Sequence, residues 1–330
     1  MTQSEGKKQV MAYLKTRSAG AKAKKKKYNF FTDIRRNPAS YLLALPALAY
    51  TFIFSYMSYP YLIIAFQKFD YRKGIFGSNF VGFQNFELFV KSNDALTVIF
   101  NTVWLNLLYI IFGTAVSVAL AIILNELASK MFVRISQSVM LLPNYLSWVI
   151  VSYILYSLFS RDYGLIDRVL QWMRLPAVDW YSTPSYWPAI ITVMRIWKGS
   201  GMNAVIFLAA IVGIDSSYYE AASLDGASRW QQCKYITLPL MMPTVVILTL
   251  LSIGRIMFGD FGMIYALVGD NGVLYPTTDI IDTYIFRALR LTGNPSQATA
   301  IGLFQSAIGF VMVYGSNRFA KKHFEGGAIF

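Results

Sequence analysis

Six apolar runs dominate the sequence, at 41–66, 95–124, 139–159, 186–214, 236–258 and 298–314. A helix rises about 1.5 Å per residue and a bilayer core is about 30 Å thick, so roughly twenty apolar residues cross it. The runs at 95–124 and 186–214 are longer than needed, and are expected to tilt or to continue into water. Only 14% of the 330 residues are charged, while 55% are hydrophobic. A soluble domain carries about 25% charge, so this chain lacks the polar surface to be one. The expected fold is an all-α membrane protein with six transmembrane helices within 37–318, a basic tail at 1–36 and a polar tail at 319–330.

The net charge of +13 is unevenly placed, because the first 36 residues hold 11 of the 30 Lys and Arg, including Lys24-Lys25-Lys26-Lys27. A basic segment beside an apolar span fixes topology and touches anionic membrane lipids. No soluble nucleic-acid-reading module accompanies it, so no nucleic-acid partner is expected. The long basic stretch and the long apolar run after it do not read as a cleavable signal. Six spans put both termini on one side. With the tail on that side go Lys130, Arg134, Arg229, Lys234, Arg318, Lys321 and Lys322, 18 basic residues in all. Nine lie opposite: Lys68, Arg72, Lys73, Lys91, Arg161, Arg168, Arg174, Arg287 and Arg290. Both termini are therefore expected in the cytoplasm, and the loops 67–94, 160–185 and 259–296 outside. Within the last loop, 278–291 reads as an amphipathic helix. Ile280, Ile281, Tyr284, Ile285 and Leu289 would share its apolar face, with Asp279 and Asp282 in the first turn.

Cys233 and His323 are the single cysteine and histidine. They exclude a disulfide framework and a Cys/His metal cluster, and leave a membrane enzyme without a nucleophile or metal constellation. The sequence also has no Gly-x-x-x-x-Gly-Lys-Ser/Thr phosphate loop.

The most informative segment is 215–239, expected on the cytoplasmic side between the fourth and fifth spans. Asp215 or Ser216 can cap a helix through Glu220-Ala221-Ala222. Gly226 can take the left-handed conformation that ends it. A second helical stretch follows, and Pro239 sits near the start of the next span. The product is a helix–turn–helix lug whose Ala221, Ala222 and Ala227 are small enough to enter a groove in a partner.

Its spacing is Glu-Ala-Ala, three residues, Gly226, nine residues, Ile236, any residue, Leu238-Pro239. This resembles the EAA loop of permease subunits of ATP-binding-cassette importers at every fixed position. Leu142-Pro143-Asn144-Tyr145-Leu146-Ser147-Trp148-Val149, Ile196-Trp197-Lys198-Gly199-Ser200-Gly201 and Thr278-Asp279-Ile280-Ile281-Asp282-Thr283-Tyr284 extend the likeness to carbohydrate-uptake permeases. It is strongest toward the group importing polysaccharide-derived oligosaccharides, such as aldouronates and alginate or pectin fragments. Asn144 stands where many of that group have His. The resemblance implies a bacterial inner-membrane permease that pairs with a second homologous permease, two cytoplasmic ATPase subunits and an extracellular solute-binding protein. It implies ATPase coupling through Glu220, Ala221, Ala222, Asp225, Gly226, Ala227, Arg229, Leu238 and Pro239. It also implies that ATP and Mg are bound by the partner ATPase, with no cofactor on this chain and no catalytic residue.

Polar groups inside spans are costly and usually face a cavity or a partner. The candidates for an oligosaccharide path are Arg195, Lys198, Asn203, Arg255, Asp260, Asn144 and Gln305, with Trp148, Trp197 and Tyr265 as flat faces for sugar rings. Each also has a structural reading. Arg195 and Arg255 suit interhelical ion pairs or snorkelling, Asn106 suits interhelical hydrogen bonding, and the Trp residues suit boundary anchors. The 197–201 segment reads either as a loosened stretch of the fourth helix or as a site of close packing. Ala298, Gly302 and Ser306 form a small-residue ridge for packing. A stand-alone secondary transporter or channel is the alternative function. It would need coupling acids in mid-span, where Asp260 alone comes near.

Overall fold

The computed structural model describes residues 30–127, 129–161 and 163–323. The expectations for 1–29 and 324–330 lie outside them. The chain falls into two units, divided between Pro60 and Tyr61. In the first, a short helix Phe30–Arg36 leads into α1, Pro38–Phe54. Pro38 stands in its first turn, where the missing N–H leaves no bond unmade. None of α1 is buried, and Leu43 is 83% exposed. A helix apolar on all sides with no cover from its own unit offers itself to lipid or to another subunit. The 3-10 stretch Tyr56–Phe66 completes an apolar span over Pro38–Phe66.

The second unit contains α2 (Ala95–Glu126), α3 (Lys130–Tyr145), α4 (Trp148–Phe159), α5 (Trp187–Val212) and α6 (Ser216–Leu224). It continues with α7 (Arg229–Gln232), α8 (Leu238–Gly254), α9 (Phe261–Val268), α10 (Ile281–Arg290) and α11 (Pro295–His323). Among the described residues the one sheet is a two-residue antiparallel pair, with Gln67 opposite Phe80. Among the described residues four helical stretches are long and apolar enough to cross a membrane, or up to six where each of two bent pairs is counted as one span. These stretches correspond to the six expected spans.

The third span is not continuous, as expected, but bent by 96° between α3 and α4. Pro143 removes a helical donor near the end of α3. Leu146 and Ser147 are extended, and Ser147 Oγ accepts the Ile150 N–H at 3.3 Å to start α4. The fourth span corrects the other way. α5 runs unbroken for 26 residues, so the loosened reading of 197–201 is set aside. Its close-packing alternative describes Gly201, where a Cβ would lie 2.1 Å from the Met140 carbonyl oxygen. The amphipathic helix is shorter than 278–291, beginning at Ile281. Asp279 precedes its first turn and is held by Arg287, while Leu289 is 51% exposed and off the apolar face. The last helix continues to His323, so no helix end marks the start of a tail at 319.

Among the described residues, three buried clusters hold the second unit. Leu105, Leu155, Trp187, Ile191, Met263 and Leu274 join α2, α4, α5 and α9. Phe89, Val98, Ile256, Met257, Ile281 and Ile301 join α2, α10 and α11 to the segment after α8. Ala121, Leu124, Phe207, Ile211 and Met241 join α2, α5 and α8 near the end of α5 that leads to α6.

Candidate functional site

Between α8 and α9 the backbone of 255–260 is not helical, yet Ile256 and Met257 are buried. Three of its N–H groups turn back on local carbonyls, Arg255 to Ser252 (3.0 Å), Ile256 to Ile253 (3.1 Å) and Phe258 to Arg255 (2.9 Å). Leaving the carbonyls of 256–258 bare in an apolar setting is nevertheless costly. Side chains from other elements supply bonds to those carbonyls. Asn106 of α2 donates to the carbonyls of Ile256 (2.9 Å) and Phe258 (3.2 Å). Gln305 of α11 donates to the Met257 carbonyl (2.7 Å) and to Asp282 Oδ2 (3.1 Å). The same Asp282 oxygen accepts the Gly259 N–H at 2.8 Å. Gly259 must be small, because a Cβ would lie 2.3 Å from Ile280 Cδ1. Asp260 Oδ1 accepts the Met263 N–H at 2.9 Å and so caps α9, while Oδ2 receives Arg195 of α5.

One turn along α5, Lys198 donates to the Asn144 carbonyl at 2.7 Å, at the bend between α3 and α4. Each cation also lies over an aromatic ring, Arg195 5.6 Å from the Tyr109 centroid and Lys198 5.2 Å from that of Trp148. A cleft of about 510 Å³ is lined by Asn106, Tyr109, Arg195, Asn203, Ser252, Arg255, Asp260 and Phe261. A second, of about 260 Å³, adds Asn144, Trp148 and Lys198 and shares Arg195, Asn203 and Asp260 with the first.

Asn144, Trp148, Arg195, Lys198, Asn203, Arg255 and Asp260 are thus brought together around one polar opening. Gln305 is buried behind it and spends its amide on the break. Tyr265 stacks on Phe261 at 5.3 Å and accepts a hydrogen bond from Arg290, but lines neither cleft itself. Trp197 is 40% exposed and lines neither. Arg255 is exposed on the first cleft, with no ion pair among the described residues. Sequence reasoning placed Asp282 in the first turn of an outer helix and missed that it anchors the break. Gly259, 23 positions away, carries no local mark of the pairing. On α10 burial would lower the Arg287 pKa, but hydrogen bonds and charge from Asp279 outweigh it and raise the pKa. No group of three or more His, Cys, Asp or Glu among the described residues is placed to hold a metal.

The segment 215–239 is the second candidate. Asp215 caps α6 by accepting the Ser217 N–H at 2.9 Å, and that bond holds its carboxyl below the usual range. At the other end the Gly226 N–H bonds to the Ser223 carbonyl (3.1 Å) and the Ala227 N–H to the Ala222 carbonyl (2.9 Å). With φ of +79° at Gly226 this is a Schellman close. Ser228 and Gln231 cap α7 reciprocally, and Gln232 donates to Ser223 Oγ (2.9 Å) and the Ala227 carbonyl (3.2 Å), tying α7 to α6. A π-helical stretch, Cys233–Thr237, leads into α8, with Leu238 and Pro239 in its first turn. Glu220, Ala221, Asp225, Gly226, Arg229 and Pro239 are exposed, while Ala222, Ala227 and Leu238 are half-buried. Leu224, 90% exposed, and Trp230, 72% exposed, join them and escaped sequence reasoning, which looked for small and charged residues.

The exposed helix–turn–helix thus joins α5 and α8, two apolar helices that also line the polar clefts. Residues 111–322 match the family described as binding-protein-dependent transport system inner membrane component, and the chain belongs to that family. It is 32% identical over 308 residues to protein LplB of Bacillus subtilis strain 168, covering 93% of this chain and 96% of the relative. It is 31% identical over 304 residues to the polygalacturonan/rhamnogalacturonan transport system permease protein YteP of the same strain, covering 92% and 94%. The structure resembles that of a bacterial ABC transporter involved in the import of the acidic polysaccharide alginate, with a TM-score of 0.82 and 30% identity over 89% of this chain and 99% of that one. It also resembles, with a TM-score of 0.81 and 30% identity over 89% and 98%, a bacterial alginate ABC transporter in complex with alginate pentasaccharide-bound periplasmic protein. The family sets aside a stand-alone transporter, because its members work with a binding protein.

Proposed function

We propose that this chain is one of two permeases of a bacterial importer that takes up oligosaccharides released from acidic polysaccharides. Two cytoplasmic ATPase subunits bind ATP and Mg and drive alternating access, and an external binding protein delivers the sugar. Both termini and the 215–239 turn face the cytoplasm. The observation that carries this reading is the turn itself. Its capped ends fix a rigid, exposed surface of Glu220, Leu224, Arg229 and Trp230. Exposed large apolar groups beside charges are the makings of a protein contact, and α5 joins it through the short bent link 213–215. The alginate and polygalacturonan transporters among the similar proteins support the acidic substrate class.

Glu220→Lys together with Gly226→Pro tests the docking surface. Proline fixes φ near −65°, which the φ of +79° at Gly226 cannot accommodate. The expected result is a chain that still inserts but no longer co-purifies with the ATPase. Undiminished co-purification would overturn the assignment.

A further inference from the structure

Arg195 and Lys198 stand out as polar groups inside the cleft, yet neither is free. Arg195 is paired with Asp260, and Lys198 is bonded to the Asn144 carbonyl. Arg255 is the contrast, exposed on the same cleft without an ion-pair partner among the described residues. A cation meant to grip a substrate is poorly served by an existing bond that the substrate must displace.

What the two cations hold is more telling. Arg195 grips the end of the 255–260 break through Asp260, and Lys198 grips the α3–α4 bend through Asn144. Both sit on the same face of α5, three residues apart. α5 is an unbroken rod from these cations to Val212. The link 213–215 then bends by 68° into α6 at Ser216. It is bonded back onto α5 through the Gly213 N–H to the Ala209 carbonyl (3.2 Å) and the Ile214 N–H to the Ile211 carbonyl (3.0 Å), so that it moves with the helix. Gly201 seats it against the backbone of α3, and Phe207, Leu208 and Ile211 bury it against α2 and α8. Helices transmit displacement, while short non-helical segments absorb it. We propose that Arg195 and Lys198 are positioning residues. They act as two struts through which movement of α6 passes along α5 to both breaks, and so to the walls of the cleft. This inference rests on the reading of α6 as the ATPase-facing element.

The test uses the whole transporter, this chain with its second permease and ATPases, in lipid nanodiscs. Spin labels at Gly113 and Ser252, on two walls of the cleft, report its width with and without ATP plus vanadate. Nucleotide is expected to shift the distance in the parent complex. Arg195→Gln, Asp260→Asn and Lys198→Met should each lose the shift while ATP hydrolysis persists. Arg195→Gln with Asp260→Asn should lose no more than either alone. Arg195→Lys, which keeps a cation for Asp260 and leaves the Asp260 cap on α9 in place, should keep the shift, which also guards against simple misfolding of a single variant. A parental shift that survives all three single changes would overturn the strut assignment and leave the ATPase reading standing. A parent complex that fails to assemble, or shows no nucleotide-dependent shift, would overturn that reading and the struts with it.

Discussion

The turn at 215–239 and the break at 255–260 are both places where a helix stops, separated only by α8. They are held in opposite ways. In the turn the capping bonds are local: Asp215 to Ser217, Ala227 to Ala222, Ser228 to Gln231, and Gln232 back to Ser223. In the break the supporting side chains arrive from α2, α5, α10 and α11. The turn therefore carries most of its own support, while the carbonyls of the break depend on the bundle assembled around them.

Two glycines give the harshest test of that contrast. At Gly201 an added Cβ would lie 2.1 Å from the Met140 carbonyl oxygen and 2.7 Å from its carbon. Backbone on both sides leaves no side chain to move aside, so α3 and α5 must separate. Gly201→Val is expected to abolish recovery of a monodisperse folded chain by size-exclusion chromatography in detergent. At Gly226 nothing lies within 4 Å, and the sole obstacle is the left-handed φ. Gly226→Ala should cost about 1–2 kcal/mol of local strain and leave a folded, monodisperse chain. Loss of folding in both, or in neither, would erase the distinction between a tertiary and a local stop.

A smaller effect is expected at Asn106. Its amide is shared between the Ile256 and Phe258 carbonyls. Asn106→Leu keeps the volume and removes both donors. A buried polar group left without its partner costs about 1–3 kcal/mol, so the thermal unfolding midpoint of the solubilised chain should fall. An unchanged midpoint would mean that water reaches the break, and that the bundle does not support it as described.

The same contrast explains what the sequence made legible. Glu220, Gly226 and Pro239 announce their turn because the partners lie within a few residues and their spacing is readable. The spans were legible because a bilayer sets their length. The 96° bend was not, since Pro143 inside a helix tolerates several outcomes and the bend is stabilised from Lys198, 54 positions away. Asn106, Gln305 and Asp260 were visible as costly polar groups, but what they satisfy was not, because a broken backbone has no composition of its own. Asp282 was the clearest miss. Next to Asp279 and ahead of an amphipathic stretch it looked like a surface acid favoured by a helix dipole. Only assembly of α10 against the break turns it inward.

The mildest change tests the turn's independence most finely. Ser228 caps α7 through its Oγ, which accepts the Gln231 N–H at 3.4 Å, while its own N–H is held by Gln231 Oε1 at 2.7 Å. Ser228→Ala removes the first bond, together with the one its hydroxyl donates to Gln231 Oε1 at 3.0 Å, and keeps the second. Loss of an N-cap costs about 0.5–2 kcal/mol, and the length of this bond argues for the lower end. Because the turn carries its own bonds, the cost should stay in the turn. Amide exchange should quicken at 229–232, the global unfolding midpoint should hold, and ATPase co-purification should weaken only slightly. Should the midpoint fall as far as in Asn106→Leu, the turn would be coupled to the bundle's stability, and a lever that unfolds when loosened could not deliver motion to the cleft.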